Sequence, residues 1–220
     1  PFSDANAVFT QPAAITSSIN TVNLSCNGSN DGSAVIQLQG SSTPPGTVST
    51  LSYCTSMPGS NLTATIENVQ LIGDSFNITN NTSGICDQYE DYSPFQYADI
   101  TQGQVYAIDI TLGDCSNNYP SGGKVYIDWN IDGDFLDLGE HVGTIANGPP
   151  STTTIGFTVP FNGSGATRMR IVSQFLNNMP VDSIGPCDVG VFSNPIYIPP
   201  WFGATEDYSI VIHSPGINAS

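Results

Sequence analysis

Basic side chains are nearly missing from this 220-residue chain. It has only three lysine and arginine residues against 19 aspartate and glutamate residues, which gives a formal net charge of −16 at pH 7. Binding to a nucleic acid depends on lysine and arginine to neutralise phosphate groups, so this composition excludes an ordinary nucleic-acid-binding protein. The same shortage of positive charge argues against docking on an anionic membrane surface.

Long apolar runs and closely spaced cysteines are missing too. No apolar run approaches the roughly 20 residues that a membrane-spanning helix requires, so we expect no membrane insertion. No CxxC pair is present, which excludes zinc ribbons and thioredoxin-like motifs. The five cysteines are Cys26, Cys54, Cys86, Cys115 and Cys187. Their wide spacing is typical of an extracellular, oxidising setting with one or two disulfides, and the odd number leaves at least one thiol free or bonded to another chain.

Residues suited to catalysis are scarce. The chain has two histidines, His141 and His213, with no HExxH helix and no GxSxG nucleophile elbow. The sequence does not exclude a pair of carboxylates that hydrolyses glycosidic bonds, because such a pair depends on a geometry that the sequence does not show. Most acidic residues cluster in turn-like segments, however, and we expect a protein without catalytic activity.

Alternation of apolar and polar residues dominates the chain, and windows with helical spacing are almost absent. The alternation predicts strands at Ser33–Gln39, Gln104–Leu112, Lys124–Trp129, Thr154–Pro160, Thr167–Phe175 and Asp207–His213. Glycine, proline, asparagine and aspartate separate these segments at turn-like intervals. Many short strands joined by such turns predict an all-β fold, a β-sandwich of the Ig-like or jelly-roll-like kind.

A linker divides the chain unequally. Residues 41–50 are rich in serine, threonine and proline, a composition typical of a linker. The linker separates a short N-terminal β-segment, 1–40, from the predicted sandwich at 51–213 and a tail at 214–220. Because the N-terminal segment is too short to bury a core of its own, it either docks on the body or completes a domain whose other strands lie elsewhere.

The most specific local signal is the acidic segment Asp128–Glu140. It begins like the D-x-[DN]-x-[DN]-G calcium loops, in which alternate oxygen-bearing side chains and a glycine wrap the backbone around a hard cation. It departs from that pattern at its twelfth position, which is Gly139. The sequence predicts a Ca²⁺ site with the ligands Asp128, Asn130, Asp132, Asp134, Asp137 and Glu140. The alternative is a solvated acidic turn without a metal.

A second candidate site lies in the proline-rich segment Asp188–Phe202. Its aromatic residues are Phe192, Tyr197, Trp201 and Phe202. Aromatic side chains on a stiff loop lose little entropy on binding and suit a sugar ring or a protein partner. The alternative is that they cover the end of the sandwich as core residues, which is also the role we expect for Trp129.

Three stretches stand out in combination: VYIDWNIDGDFLDLGE at Val125–Glu140, TRMRI at Thr167–Ile171 and GATEDYSI at Gly203–Ile210. In this order they resemble the GEVED domain, a β-sandwich module of large secreted and surface proteins, chiefly of Bacteroidota. The resemblance runs from about 51 to 213. The naming motif differs at Ala204, where the family has its first glutamate, while Glu206 and Asp207 remain. The resemblance implies an extracellular adhesion or scaffold role without enzyme chemistry.

The N-terminal stretch Phe9–Gly40 contains Gln11-Pro12, then Cys26-Asn27-Gly28 and Asn30-Asp31-Gly32-Ser33. It resembles the short repeat of Bacteroidota gliding-motility and surface adhesins. This resemblance implies that the expected partners are neighbouring copies of the chain or adjacent repeats of a longer one. A strand-forming segment on a linker can add to the open sheet edge of a neighbour, so residues 5–38 could polymerise the chain.

These observations predict a calcium-stabilised, non-catalytic module of a bacterial surface adhesin or filament, located outside the cell. The alternative is a carbohydrate- or protein-binding accessory domain of a secreted hydrolase or protease. In that case the aromatic residues of the segment 188–202 would form the binding platform.

Overall fold

The computed structural model describes residues 16–22, 33–39, 46–115, 119–145, 152–177 and 179–215. Within these ranges the chain forms strands and one short 3₁₀ turn at Val181–Ser183. The strands are β1 Thr16–Val22, β2 Ser33–Gln39, β3 Ala64–Ile72, β4 Asn77–Asn81, β5 Tyr89–Asp91, β6 Tyr97–Thr101, β7 Val105–Asp114, β8 Ser121–Ile127, β9 His141–Ile145, β10 Thr152–Thr158, β11 Gly165–Phe175, β12 Val191–Ser193, β13 Ile196–Ile198 and β14 Thr205–His213. No helix in this part of the chain is long and apolar enough to cross a membrane.

The chain divides into two compact units, Pro1–Pro45 and Gly46–Ser220. In the first unit, β1 and β2 form an antiparallel pair in which Thr16 lies opposite Gln39 and Val22 opposite Ser33. Cys26 lies outside the described residues. The second unit contains the other twelve strands that the structure describes.

Two larger sheets and the antiparallel pair β12-β13 form the second unit. The first has the strand order β10-β7-β3-β4, and its neighbours are antiparallel. The second has the order β5-β14-β11-β8-β9, and β6 pairs with β14 further along the edge that β5 occupies. Both β5 and β6 run parallel to β14. The predicted all-β sandwich is confirmed.

The core between the sheets comes from alternate residues of the strands. On β7, Ile108, Ile110 and Leu112 are fully buried, and β14 contributes Tyr208 and Ile210 in the same way. Side chains of a strand point to opposite faces in turn, so these residues share the inner face of their sheets. Trp129, which is 4% exposed, belongs to this core, as the sequence predicts.

The outer face of the second sheet is covered as well. A smaller buried cluster contains Tyr126 of β8, Val172 of β11, Phe135 and Ile184. Phe135 comes from the acidic segment and Ile184 from the loop after the 3₁₀ turn. Both faces of β8 are therefore buried, and the acidic segment is attached to the sandwich through an apolar residue of its own.

Two disulfides tie loops to the sandwich in the part of the chain that the structure describes. Cys54–Cys187 joins the segment before β3 to the loop before β12. Cys86–Cys115 joins the loop after β4 to the end of β7. The expectation of one or two disulfides is confirmed.

Candidate metal centre and aromatic surface

The acidic segment is organised around the buried carboxylate of Asp128. Its Oδ1 accepts hydrogen bonds from the backbone N–H groups of Ile131 and Asp132 at 2.7 and 3.2 Å. Its Oδ2 accepts from the N–H of Gly133 at 3.0 Å and from the hydroxyl of Tyr53 at 2.8 Å. Hydrogen bonds to a charged acceptor are stronger than those between neutral groups, so Asp128 fixes the backbone of the turn that follows it.

Glu140 performs the same task at the other end of the segment. It is 1% exposed, and its Oε1 and Oε2 accept hydrogen bonds from the N–H groups of Trp129 and Asp137, both at 3.1 Å. Burial raises the pKa of Glu140 above its ordinary value, and the nearby negative charges of Asp128 and Asp132 add to the increase. Both oxygens of each buried carboxylate are thus engaged with the protein.

The turn between them needs unusual backbone angles. Gly133 has φ of 97° and Gly139 has φ of 99°, values that glycine adopts without steric cost. Ile131 has φ of 61°, which is unfavourable for a β-branched residue. The short hydrogen bond from its N–H to Asp128 holds it there.

Three other carboxylates of the segment converge at the surface. Asp132, Asp134 and Asp137 each offer one oxygen, and these oxygens lie within 4.8 Å of one another. Asp132 and Asp137 are exposed and Asp134 is half-buried. Of the six predicted ligands, the structure therefore brings together three carboxylates at the surface and places Asp128 and Glu140 beneath them as acceptors of backbone hydrogen bonds.

Asn130, the remaining predicted ligand, lies between two of these carboxylates. Its Nδ2 donates to Oδ2 of Asp132 at 2.9 Å and to Oδ2 of Asp137 at 2.6 Å. Its Oδ1 is buried and has no hydrogen-bond partner. An unpaired buried acceptor is costly, which makes this amide the least satisfied group of the loop.

The underside of the loop rests on a buried ion pair. Nε and one terminal nitrogen of Arg170 each donate to Asp207 at 2.7 Å, and the other terminal nitrogen donates to the carbonyl groups of Cys54 and Pro186 at 2.8 Å. The guanidinium group lies 5.1 Å from the ring centroid of Phe135. A cation over an aromatic face is attracted by the ring, so the ion pair helps to fix the loop.

The four predicted aromatic residues form one cluster beside the hairpin of β12 and β13. Phe192 lies 5.6 Å from Tyr197 and 4.2 Å from Phe202, measured between ring centroids, and Trp201 lies 5.5 Å from Tyr197. Phe192 and Tyr197 are 44% and 38% exposed, Trp201 is half-buried, and Phe202 is buried. Phe202 therefore supports the cluster, while the other three form its surface.

Two aromatic residues that were not among the predicted site residues, Phe175 and Tyr119, extend this cluster. Phe175 stacks on Trp201 at 5.6 Å with an interplanar angle of 15°, and its carbonyl accepts a hydrogen bond from Nε1 of Trp201. Tyr119 lies 5.2 Å from Phe175. A cavity of about 490 Å³ adjoins them, and its lining includes Asn61, Tyr119, Phe202 and the Cys86–Cys115 disulfide. Phe175 lies in a predicted strand, but nothing in its spacing shows that it would meet Trp201.

Part of the chain matches a known family. Residues 123–211 match the family described as the GEVED domain, and this range contains the acidic loop, the buried ion pair and the aromatic cluster. No curated protein matches the chain. The resemblance of Phe9–Gly40 to an adhesin repeat has no counterpart among these findings.

Among solved structures, the chain is similar to the CARDB domain of the PF1109 protein from Pyrococcus furiosus, which was crystallised in complex with di-metal ions. The two are 12% identical, the alignment covers 74% of this chain and 100% of the other, and the TM-score is 0.30. At this TM-score the likeness carries no argument about the present chain.

The two kinds of carboxylate should respond differently to the same substitution. In EDTA, we expect Asp128→Asn to lower the free energy of unfolding by about 3 kcal/mol or more, because an amide nitrogen would face groups that now donate to a charged oxygen. Asp134→Asn should change it by less than about 0.5 kcal/mol, since Asp134 is at the surface and its loss reduces repulsion. Urea denaturation measures both, and equal effects would contradict this assignment.

Proposed function

We propose that this chain is a non-catalytic, extracellular module of a bacterial surface adhesin or filament, stiffened by a bound calcium ion. The observation that carries the proposal is the convergence of Asp132, Asp134 and Asp137 on a loop already shaped by Asp128 and Glu140. The GEVED match over 123–211 supports a surface-protein module, as the resemblance implies. The two disulfides fit an oxidising environment.

Calcium suits these residues better than other common cations. The candidate ligands are all oxygens on a loop that turns through two positive-φ glycines, and Ca²⁺ accepts six to eight oxygens in flexible geometry. Mg²⁺ demands a near-ideal octahedron and sheds water reluctantly. Transition metals favour nitrogen or sulfur ligands, and this cluster offers neither.

The amide of Asn130 supports the presence of a cation. A half-turn of the amide exchanges Oδ1 and Nδ2, so that the unpaired oxygen would face the carboxylates of Asp132 and Asp137. Three oxygens facing one another repel unless a cation lies among them. Without the ion, Nδ2 partly neutralises the two carboxylates. With the ion, Oδ1 of Asn130 becomes a fourth ligand.

Calcium should stabilise the chain and the stabilisation should depend on this cluster. Ligand binding to the folded state alone adds about 2.7 kcal/mol when the free ligand is 100 times Kd. We expect calorimetry to show a higher Tm in calcium than in EDTA. Asp132→Asn with Asp137→Asn should abolish the difference. The control, Asp87→Asn with Asp182→Asn, changes the net charge equally at exposed residues elsewhere and should retain it.

Calcium that left the Tm of the native chain unchanged would contradict the proposal. So would a calcium-dependent increase that both double variants retain. Magnesium at the same concentration should raise the Tm less than calcium does.

The filament part of the proposal rests on strand addition. The first unit has a strand pair, β1 and β2, and no further strands among its described residues. Isolated two-stranded hairpins are marginally stable in water. In the second unit, β4 and β10 are the outer strands of the four-stranded sheet, and the outer strand of a sheet is where a further strand can add. A donor segment from one copy would gain the partner it lacks on the edge of the next, and a contact that repeats without closing produces a filament.

Removal of residues 1–45 should abolish assembly, because the donor strands are lost. Electron microscopy of the complete and shortened chains measures this. Circular dichroism first checks that the shortened chain keeps its strands. An excess of a peptide spanning residues 5–38 should inhibit assembly of the complete chain. Filaments that form equally well without residues 1–45 would contradict the mechanism.

A second candidate function is binding of a neutral glycan by the aromatic cluster. The observation that favours it is that Phe192, Tyr197 and Trp201 present partly exposed rings, and that Phe202 of the same cluster lines a cavity together with the amide side chain of Asn61. Sugar rings pack on aromatic faces while amides bond their hydroxyls. The net charge of −16 disfavours acidic glycans.

A glycan array tests this candidate directly. We expect binding to a subset of neutral glycans, and a loss of about thirtyfold or more in affinity for Trp201→Ala and Tyr197→Ala, because truncated anchor residues cost about 2 kcal/mol or more. Phe95→Ala is the matched control, since Phe95 is 71% exposed and belongs to no aromatic pair of this cluster. An array without selective binding would reject the glycan function and leave the structural one.

A further inference from the structure

Two neighbouring acids of β14 face opposite sides of the sheet. Asp207 points outward and pairs with Arg170, as described above. Glu206 points inward with Tyr208, and both are 0% exposed. Glu206 is therefore a carboxyl group in the interior of the sandwich. Among the described residues no lysine, arginine or histidine forms an ion pair with it.

The hydrogen-bond geometry around Glu206 accommodates a proton on its carboxyl group. Thr82 Oγ1 is 2.7 Å from the carbonyl oxygen of Ile66 and 3.3 Å from Oε1 of Glu206. A hydroxyl has one proton, and a carbonyl cannot donate, so the threonine proton points to Ile66. A neutral Glu206 can then donate from Oε1 to Oγ1, whereas a carboxylate would have to share the one threonine proton with the carbonyl of Ile66.

The second oxygen of Glu206 is consistent with this assignment. Oε2 accepts a hydrogen bond from the hydroxyl of Tyr208 at 2.6 Å, and that hydroxyl accepts one from Nδ2 of Asn80 at 2.9 Å. Each polar group in this series of hydrogen bonds has a partner when Glu206 carries its proton. Burial also raises the pKa of Tyr208, so the tyrosine does not release a proton in place of the acid.

A second carboxyl group faces Glu206 across the sheet edge. Glu90 of β5 lies directly beside Glu206 in the parallel register, and the hydroxyl of Tyr92 donates to Oε1 of Glu90. The ring of Tyr92 stacks on that of Tyr208 at 5.5 Å. Like charges directly opposite each other destabilise strand pairing. The pairing of β5 with β14 thus joins two acids with no cation between them.

We propose that Glu206 is a proton-held latch: its neutral carboxylic acid keeps β5 paired with β14, and release of its proton as the pH rises frees β5 and opens the edge of β14 at Thr205–Asp207. Opening admits water to both carboxyl groups and removes the repulsion between them. The edge that becomes free carries the backbone groups that now bond β5, among them the N–H of Thr205, which donates to the carbonyl of Gln88.

The pH range follows from the direction of the shift. Burial, with the charge of Glu90, raises the pKa of Glu206 to about 8, against an ordinary value of 4.5 that it regains in the open state. A group whose pKa is higher in the closed state stabilises that state fully below the ordinary value. The stabilisation then declines as the pH rises towards about 8 and is lost above it. Between these limits, opening becomes up to tenfold more favourable per pH unit.

Other groups on β5 and β14 make contacts outside the Glu206 cluster. On the outer face, Tyr89 donates to Asp207, while Arg168 bonds Asp207 and Ser93. Asp91 accepts from the N–H and hydroxyl of Ser93. Burial raises the pKa of Tyr89 and Tyr92, so both keep their protons below pH 9. These contacts hold β5 when Glu206 is neutral, and Glu206 supplies the pH dependence.

Hydrogen exchange of the complete chain tests the latch. Protection of the Tyr92 and Thr205 amides, corrected for the intrinsic rate, should fall by up to tenfold per pH unit from pH 5.5 to 8 and then level. In Glu206→Gln the protection should stay constant, since the amide is neutral at every pH and keeps both hydrogen bonds. Amides of Ile108 and Ile110 in β7 are the internal control and should not change.

Constant protection in the native chain, or an equal decline in Glu206→Gln, would overturn the latch. Carbon-13 NMR of labelled glutamate carboxyl groups provides a measurement that needs no variant. One carboxyl group should titrate near pH 8, and titration of every glutamate below pH 6 would overturn the proposal. Glu90→Gln should reduce the loss of protection at pH 8, because the opposing charge is gone.

Discussion

The constraint on which this structure depends is the burial of carboxyl groups in a chain with almost no positive charge. Nineteen acids share three basic side chains, yet Asp99, Asp128, Glu140, Glu206 and Asp207 are all buried. An isolated buried charge costs far more than the fold could compensate. Asp207 is paired with arginine, Asp128 and Asp99 accept hydrogen bonds from backbone N–H groups, and Glu206 keeps its proton under the proposal above. The buried carboxyl groups are therefore accommodated in three different ways.

The ion pair and the acidic loop are parts of one unit for this reason. Arg170 reaches Asp207, the carbonyl groups beside the Cys54–Cys187 disulfide and the ring of Phe135. Tyr53 stacks on Phe135 at 5.0 Å and donates to Asp128. Arg170 thus lies beneath the loop with all its polar nitrogens hydrogen-bonded, while under the proposed function the exposed carboxylates above it bind an ion from solution. The ion pair fixes the loop from below, and the exposed carboxylates above it are accessible to an ion.

Much of the fold can be predicted from alternation, and the failures have a physical cause. The predicted strand Ser33–Gln39 has the same bounds as β2, and the predicted apolar faces of β7 and β14 line the core. The strand β3 was not predicted because a register shift between Ile66 and Asn68 interrupts it. Ile66 and Val69 are both buried although three positions apart, so no period of two is visible. In the loop, the spacing identifies six oxygen-bearing residues. It does not show which of their side chains accept hydrogen bonds from backbone N–H groups and which are left to bind a metal.

The altered motif GATED shows how the shortage of cations limits the number of acidic residues near Glu206. Residues 204, 206 and 208 share the inner face of the final strand, and Ala204 is 2% exposed within the core. The GEVED pattern that the chain resembles has a glutamate at position 204. With that residue, the interior edge would hold three carboxyl groups, at 204, 206 and 90, and the hydroxyl and amide groups beside Glu206 already have partners. Alanine removes one acid from a region that has no cation to offset it. Glu206 can then remain neutral through hydrogen bonds alone, while Asp207, one residue later, pairs with Arg170 and Arg168 on the outer face.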